Sequence, residues 1–309
     1  MPEWRHQVDA WRDLLAQCAR KPSRKRVHAL RSLTLRLRVR LEHGLGKQDA
    51  DSKGVRAFRR WSKGGKKLRK ALEPLRDADV FLARLASLRQ SLKGTRDGEP
   101  QLSPRCLRHI EKLEALLKRH RQTGIEKLIP VLNSRGKRLN RLSTEMETAL
   151  APQLRSAMGS ATQAALKIFS ELAAELPNLD SANLHAFRKR LKQALYLAEI
   201  SAASDPQSAR LAAAFKKIHL AAGEWHDWQA LSLEAARALP GCDKQDGLLP
   251  VVNAMAEAAL KRALGLTRRA AAGFVKKHGK KRSCPPRKPV VSNPGFVPGE
   301  KSGPLAISA

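Results

Sequence analysis

Apolar residues recur at spacings of three and four along almost the whole chain, while alternating β-branched runs with Asn-Gly or Asp-Gly turns are nearly missing. That periodicity predicts an all-α protein. It marks helices near 4–20, 24–43, 52–73, 75–92, 104–121, 123–149, 152–176, 182–201, 206–239 and 249–275. The longest of the later ones is expected to break near Gly223. Residues that end helices fill the gaps: HGLGKQDAD, KGTRDGEPQLSP, LPNLDSAN, ASDPQ and LPGCDKQDG. Beyond 275 the period stops, and the Pro-, Gly- and Lys-rich stretch 276–309 reads as a disordered basic tail.

Two stretches repeat. VHALRSLTLRLRVRL holds His28 and Arg31, and LHAFRKRLKQALYLA holds His185 and Arg188. Downstream, Lys66, Lys67 and Asp77 match Lys216, Lys217 and Asp227 at the same internal spacings. The pattern predicts two helical bundles related by duplication, 1–150 and 151–275.

Charge is the second constraint. The chain carries 60 Lys and Arg against 28 Asp and Glu, a net charge of +32. A hydrophobic fraction of 42% still allows a packed core. Such a balance calls for a polyanionic partner: nucleic acid, an anionic membrane or a phosphate polymer. On a helix covering 24–43, Leu30, Leu33, Leu37 and Leu41 share the buried face, flanked by Val27 and Thr34. Arg24, His28, Arg31 and Arg38 fall on one flank, and Lys25, Arg36 and Arg40 on the other. In the next helix Arg56, Arg59, Arg60, Lys63, Lys66, Lys67 and Lys70 form one stripe opposite Phe58, Trp61, Leu68 and Leu72. No acid lies between Lys53 and Lys70 to offset it. Like charges one turn apart repel by a few tenths of a kcal/mol per pair. A bound polyanion would relieve that repulsion, which a merely solvated basic face would leave standing.

Each histidine shares a helix face with an arginine three residues on, His28 with Arg31 and His185 with Arg188. Imidazole donates to a phosphate oxygen, Arg offers a planar fork, and Lys a mobile point charge. A structural, hydrogen-bonded role for the two imidazoles is the competing reading.

V-H-A-L-R-x-x-x-x-R-L-R at 27–38, P-L-R-D-A-D-V at 74–80, L-H-A-F-R at 184–188 and W-H-D-W at 225–228 together resemble the CHAD domain, an α-helical domain marked by histidines. The resemblance runs over about 4–275. It implies two helical bundles about a pseudo-two-fold, with a basic groove or channel between them. It also implies binding of inorganic polyphosphate and recruitment to polyphosphate granules. Carried over by position, the ligand contacts are His28, Arg31, Arg36, Arg38, Lys66, Lys67 and Lys70, then His185, Arg188, Lys192, Lys216 and Lys217. Arg59, Arg60 and Lys63 join them from the cationic stripe. The second half departs from a symmetric pattern. Gln193 and Leu195 replace Arg36 and Arg38, Ala213 and Leu220 replace Lys63 and Lys70, and Leu35 stands opposite Lys192.

Catalysis is not expected. Some relatives carry a triphosphate-hydrolysing tunnel domain signed E-x-E-x-K; here EMETA at 145–149 ends in Ala149, and no strand-rich region could form the tunnel. Phosphoryl chemistry needs grouped carboxylates around metal. Asp77 with Asp79 reads as helix capping or inter-helix pairing, and His226-Asp227 between Trp225 and Trp228 as packing. A phosphohydrolase is therefore the weakest reading. A nucleic-acid-binding protein is the stronger alternative, but one Tyr, seven Phe and five Trp at core-like spacings give few stacking platforms. No cofactor or metal is expected. Cys18, Cys106, Cys242 and Cys284 lie far apart, which argues against a zinc site or a disulfide framework. The first residues lack an apolar signal core, and no run reaches the ~20 apolar residues of a membrane span. A soluble cytoplasmic protein, associated with granules, is the expectation; the oligomeric state is left open.

Overall fold

Short polar side chains set where the key helices begin. Ser23 accepts a hydrogen bond from the Arg26 amide at 3.4 Å and opens α2 (Arg24–Leu45). Ser52 does the same for the Val55 amide at 3.3 Å and opens α3 (Lys53–Ala71). Asp205, followed by Pro206 at the first helical position, opens α8 (Pro206–Ala238) and accepts from the Gln207 amide at 2.9 Å. Each cap satisfies an amide that the first turn leaves without a partner.

The computed structural model describes residues 3–46, 52–91, 102–150 and 160–278. Within them the chain is all-helical, with no strand. The remaining helices are α1 (Glu3–Arg20), α4 (Glu73–Ser91), α5 (Pro104–Leu150), α6 (Ala161–Ala174), α7 (Leu184–Ser201) and α9 (Leu248–His278), with a 3-10 turn at Leu176–Asn178. Residues 1–271 form one compact unit. The expected helical start at 152–159 and the tail beyond His278 lie outside the described residues. Among the described residues no helix is long and apolar enough to cross a membrane.

Two expected breaks are absent: the one at residue 122, between the helices expected at 104–121 and 123–149, and the one near Gly223. The helices expected at 104–121 and 123–149 are one, α5, continuous through Gly124. A Cβ at Gly124 would lie 2.6 Å from Cδ1 of Leu75, so the glycine allows α4 to approach. Likewise α8 runs unbroken through Gly223. Its bare surface faces the Arg188 guanidinium, whose Nη2 would lie 3.5 Å from an added Cβ. A glycine inside a helix costs only about 1 kcal/mol, which packing here offsets.

The apolar faces pack as their spacing predicts. Leu30, Leu37 and Leu41 of α2 and Leu68 and Leu72 at the end of α3 are fully buried. Trp11 of α1 meets Trp61 of α3 edge to face, ring centroids 5.4 Å apart. The Trp11 indole donates to Thr34 at 2.9 Å, tying α1 to α2. In the later helices Phe169 of α6 packs on Phe215 of α8, with centroids 4.7 Å apart. The helices of 1–150 meet the later ones along two lines, α2 against α7 and α4 against α8. Arg40, which projection places on a flank of α2, is instead buried.

Candidate anion-binding site

The α2–α7 line is built from one face of α7. His185, Arg188, Lys192, Tyr196 and Glu199 follow one another at helical spacing, so all five project on the same side. Glu199 takes the Arg36 guanidinium from α2 through both oxygens, at 2.8 and 3.2 Å. Arg36 also lies 5.1 Å from the Tyr196 ring centroid, and the Lys192 ammonium 5.6 Å from it. The ring is thus a shared cation–π partner of one cation from α2 and one from α7.

Other cations enter from α3 and α4. Arg31 of α2 donates to the backbone carbonyl of Arg69, and sits 3.7 Å from Glu73. Arg76 of α4 donates to Asp77 at 2.9 Å and to Asp227 of α8 at 2.7 Å. Asp227 also lies 3.5 Å from Arg84, which in turn rests over the Trp228 ring at 5.3 Å. Arg188 and Lys192 are half-buried, yet neither has a carboxylate within ion-pair distance among the described residues.

Burial, and at Lys192 and His28 the neighbouring cations as well, makes these groups resist carrying their charge. Lys192 is pushed down to about 7, by burial first and then by Arg188, Arg69, Arg31 and Arg76. His219 of α8 falls to about 3, through burial and then Arg188 and Lys192. His28 is lowered by burial and then by Lys192, Arg76, Arg31 and Arg36. Arg31, Arg69 and Arg188 are lowered too, each by burial before any neighbouring charge. Asp227 goes the other way. Burial alone would raise its carboxyl, but the nearby His226 side chain, 3.9 Å away, and the Arg76 guanidinium more than offset it and hold it below the ordinary range.

Two cavities open beside this cluster. One, of about 330 Å³, is lined by Arg24, Lys25, His28, Arg76, Asp79 and Asp227. The other, of about 480 Å³, lies between α2 and α3. Arg38, Arg59, Lys63 and Lys66 line it together with Leu45, Val55 and Phe58 and with Glu42, which pairs with Arg38 at 3.3 Å. Arg69 connects the two groups of cations, since both Arg31 and Arg38 act on it.

The sequence-derived candidates therefore divide. His28, Arg31, Arg36, Arg188 and Lys192 come together at the α2–α7 line. Arg38, Arg59, Lys63 and Lys66 share the α2–α3 cavity. Arg60, Lys67 and Lys70 are exposed on α3, and Lys216 and Lys217 are exposed on α8. None of these five lines either cavity. His185 is stacked on His226, with ring centroids 4.9 Å apart. Five residues of the cluster escaped the sequence reading: Arg69, Arg76, Tyr196, His219 and Asp227. Arg76 stands inside the P-L-R-D-A-D-V motif, and Tyr196 lies one turn beyond Lys192, so both carried a signal. Arg69 sits just off the α3 stripe and carried none. Asp79 pairs with Arg121 of α5 at 2.6 Å, an inter-helix link as its spacing suggested. Among the described residues no three His, Cys, Asp or Glu side chains gather as a metal site.

A helical domain with His–Arg pairs on two helices that face each other is what this chain presents. The model of the CHAD domain matches residues 3–236, from α1 into the last turn of α8, and the chain belongs to the CHAD domain family. No curated protein and no solved structure matches it.

Proposed function

We propose that this protein binds inorganic polyphosphate without transforming it, along a basic groove between two bundles related by duplication. One observation carries the reading. Arg188 and Lys192 are half-buried with no carboxylate within ion-pair distance among the described residues, and burial, followed at Lys192 by Arg188, Arg69, Arg31 and Arg76, depresses their proton affinities. Holding that many cations together stores a cost that a chain of phosphates relieves. Family membership points to the same ligand class.

The proposed duplication gains support from Arg76. Asp77 and Asp227, equivalent in the two repeats, end on the same guanidinium. Arg31 and Arg188, also equivalent, belong to the same cluster. The basic groove would run from the α2–α3 cavity past Arg69 to the α2–α7 line and His28. Exposed Arg60, Lys67, Lys70, Lys216 and Lys217 would draw the polymer in electrostatically. A role at polyphosphate granules follows if the polymer is bound there.

Nucleic acid is disfavoured because single strands bind on exposed aromatic faces. The Trp, Tyr and Phe side chains from Trp4 to Trp228 are all buried, Phe58 and Phe81 being the most open at 7%. The test is titration with long-chain polyphosphate, single-stranded DNA and RNA at matched phosphate and salt concentration. Polyphosphate should bind most tightly. Equal affinity for nucleic acid at physiological salt overturns the specific reading. Phosphate released from polyphosphate in the presence of a divalent metal overturns the non-catalytic one.

A further inference from the structure

The cavity beside His28 carries two carboxylates that holding a bare polyanion does not call for. Arg24, Lys25 and His28 line it from α2, Arg76, Asp79 and Val80 from α4, and Asp227 from α8. Asp227 is engaged, its oxygens lying 2.7 Å from Arg76 and 3.5 Å from Arg84. Asp79 is engaged through one oxygen only. Its residue is 8% exposed. The Arg121 fork of α5 has donors enough for both of its oxygens, but they are divided. Nε donates to Oδ1 at 2.6 Å, while Nη2 donates to the Pro22 carbonyl at 3.2 Å. Oδ2 is left buried with no hydrogen-bond partner among the described residues. A buried carboxylate oxygen without a donor is costly, and a ligand that brings one removes the cost.

The rest of the lining restricts what can bring that donor. Arg24, Lys25 and Arg76 line the same cavity, so a cationic donor is repelled and an anion is favoured. An anion that also donates a hydrogen bond is a phosphate that keeps one proton. We propose that this cavity binds the end of a phosphate chain, or a free phosphate, through a P–OH group that donates to Asp79 while the surrounding cations hold the ionised oxygens. The proposal rests on the polyphosphate reading and narrows it, from a chain held anywhere along its length to a chain whose end is recognised.

The chemistry of the two kinds of phosphate unit makes the distinction. An internal unit has one ionised oxygen and no P–OH, so against Asp79 it sets charge on like charge with no proton between. A terminal unit ionises a second time only near pH 6, the ordinary value for a phosphate ester, so about half of the ends still hold a proton there. The position in the fold agrees. The proposed groove runs to His28, and His28 lines this cavity, so the end of the groove meets a site suited to the end of the chain.

The experiment titrates the full chain at about pH 6, where terminal phosphates are half protonated. Orthophosphate and sulfate compete against bound tripolyphosphate. Sulfate carries the greater charge at that pH and no proton, so attraction by cations alone favours it. Orthophosphate should nonetheless displace tripolyphosphate at about tenfold lower concentration, as one hydrogen bond to a charged group allows. Linear tripolyphosphate should also bind more tightly than cyclic trimetaphosphate, which has three phosphates and no end. In Asp79→Asn, whose remaining carbonyl still accepts from Arg121, the linear-to-cyclic affinity ratio should fall by about tenfold. Circular dichroism checks the fold of the variant. Sulfate competing as well as orthophosphate overturns the proposal without any variant. So does a folded Asp79→Asn with an unchanged ratio. Titration with long-chain polyphosphate keeps the two readings apart. Long chains that bind while the native protein shows no preference for ends sink this proposal and leave the polyphosphate reading standing. Orthophosphate selected over sulfate with no long-chain binding does the reverse.

Discussion

Asp227→Asn should destabilise the protein and, at the same time, tighten its grip on polyphosphate. The carboxylate is 2.7 Å from Arg76 and 3.5 Å from Arg84, with side-chain exposures of 12% for Asp227 and 19% for Arg76. Two unit charges about 4 Å apart interact by about 4 kcal/mol at the effective dielectric of a partly buried site. Asparagine keeps a carbonyl that Arg76 can still donate to, which recovers about 1 kcal/mol. Arg76 also retains Asp77 at 2.9 Å. The net loss should be about 2–3 kcal/mol, below the ~3–5 kcal/mol seen when a fully buried pair loses one partner. For a chain of this size that lowers Tm by roughly 3–5 °C.

Polyphosphate binding should move the other way. Asp227 occupies the guanidinium that a phosphate would use, so its removal frees Arg76. One added charge-assisted contact of about 1.4 kcal/mol is a tenfold gain in affinity. Thermal unfolding followed by circular dichroism, with and without polyphosphate, reads both effects, and the ligand should stabilise the variant by more than it does the native chain. A folded variant with unchanged Tm refutes the Coulomb reasoning. A folded variant with unchanged or weaker affinity refutes the competition between Asp227 and ligand. The pH dependence supplies an internal check. Because the folded-state carboxyl titrates below its ordinary value, its contribution is present above about pH 4 and is lost as pH falls through the lower folded value. The native and variant curves should therefore converge in acid.

Lys192, near 7 in the fold, binds fewer protons there than in the unfolded chain between about pH 7 and 10, so stability should rise with pH across that window. Polyphosphate affinity should fall across the same window as the free site loses its proton, and Lys192→Arg should flatten that slope in a binding titration. Joint conversion of Lys63, Lys66, Lys67 and Lys70 to Glu should reduce affinity by more than about a hundredfold, each charge reversal on an exposed stripe costing about 1 kcal/mol or more. The helical circular dichroism should persist; unchanged affinity would remove α3 from the site. Gly223→Ala places its methyl at ordinary contact distance from Arg188, so it should stabilise α8 by about 0.5–1 kcal/mol in urea unfolding. A loss of stability would mean that Arg188 cannot give way.

Helices and core faces were legible because one period governs them. Leu30, Leu37 and Leu41 lie where projection puts them, and so do Trp61 and Leu68. Of the two missed continuities, at residue 122 and at Gly223, the second has a local cause. Glycine has the same appearance in sequence whether it ends a helix or sits within one beside a neighbour, and only the neighbour, here Arg188, decides. Half of the site was legible for the same reason as the core. Exposed cations at helical spacing are a local pattern. The other half is tertiary. Arg69 lies off the stripe, and Arg76 matters because Asp227, far along the chain, comes to meet it. The histidine pairing was also out of reach, since His185 stacks on His226 and not on an arginine.

The division between the two kinds of cation bears on how such a site selects a ligand. Lys67, Lys70, Lys216 and Lys217 are exposed, so water and salt screen them and each contributes a modest, distance-tolerant attraction. That attraction accelerates encounter with any polyanion and discriminates poorly between them. Arg188 and Lys192 are different. Their charges are already partly desolvated, so a phosphate that reaches them displaces less hydration on the protein side and meets a field that water damps less. Arg188 and Lys192 are half-buried at the α2–α7 contact, with the Tyr196 ring 5.6 Å from Lys192, so a thin, flexible chain with charge at every unit and no bulky base should reach them most readily. Selection for polyphosphate over nucleic acid should therefore reside in the half-buried pair, while total affinity resides largely in the stripe. Arg188→Gln should narrow the gap between the two ligands at nearly unchanged nucleic-acid affinity. The α3 charge reversals should weaken both ligands together.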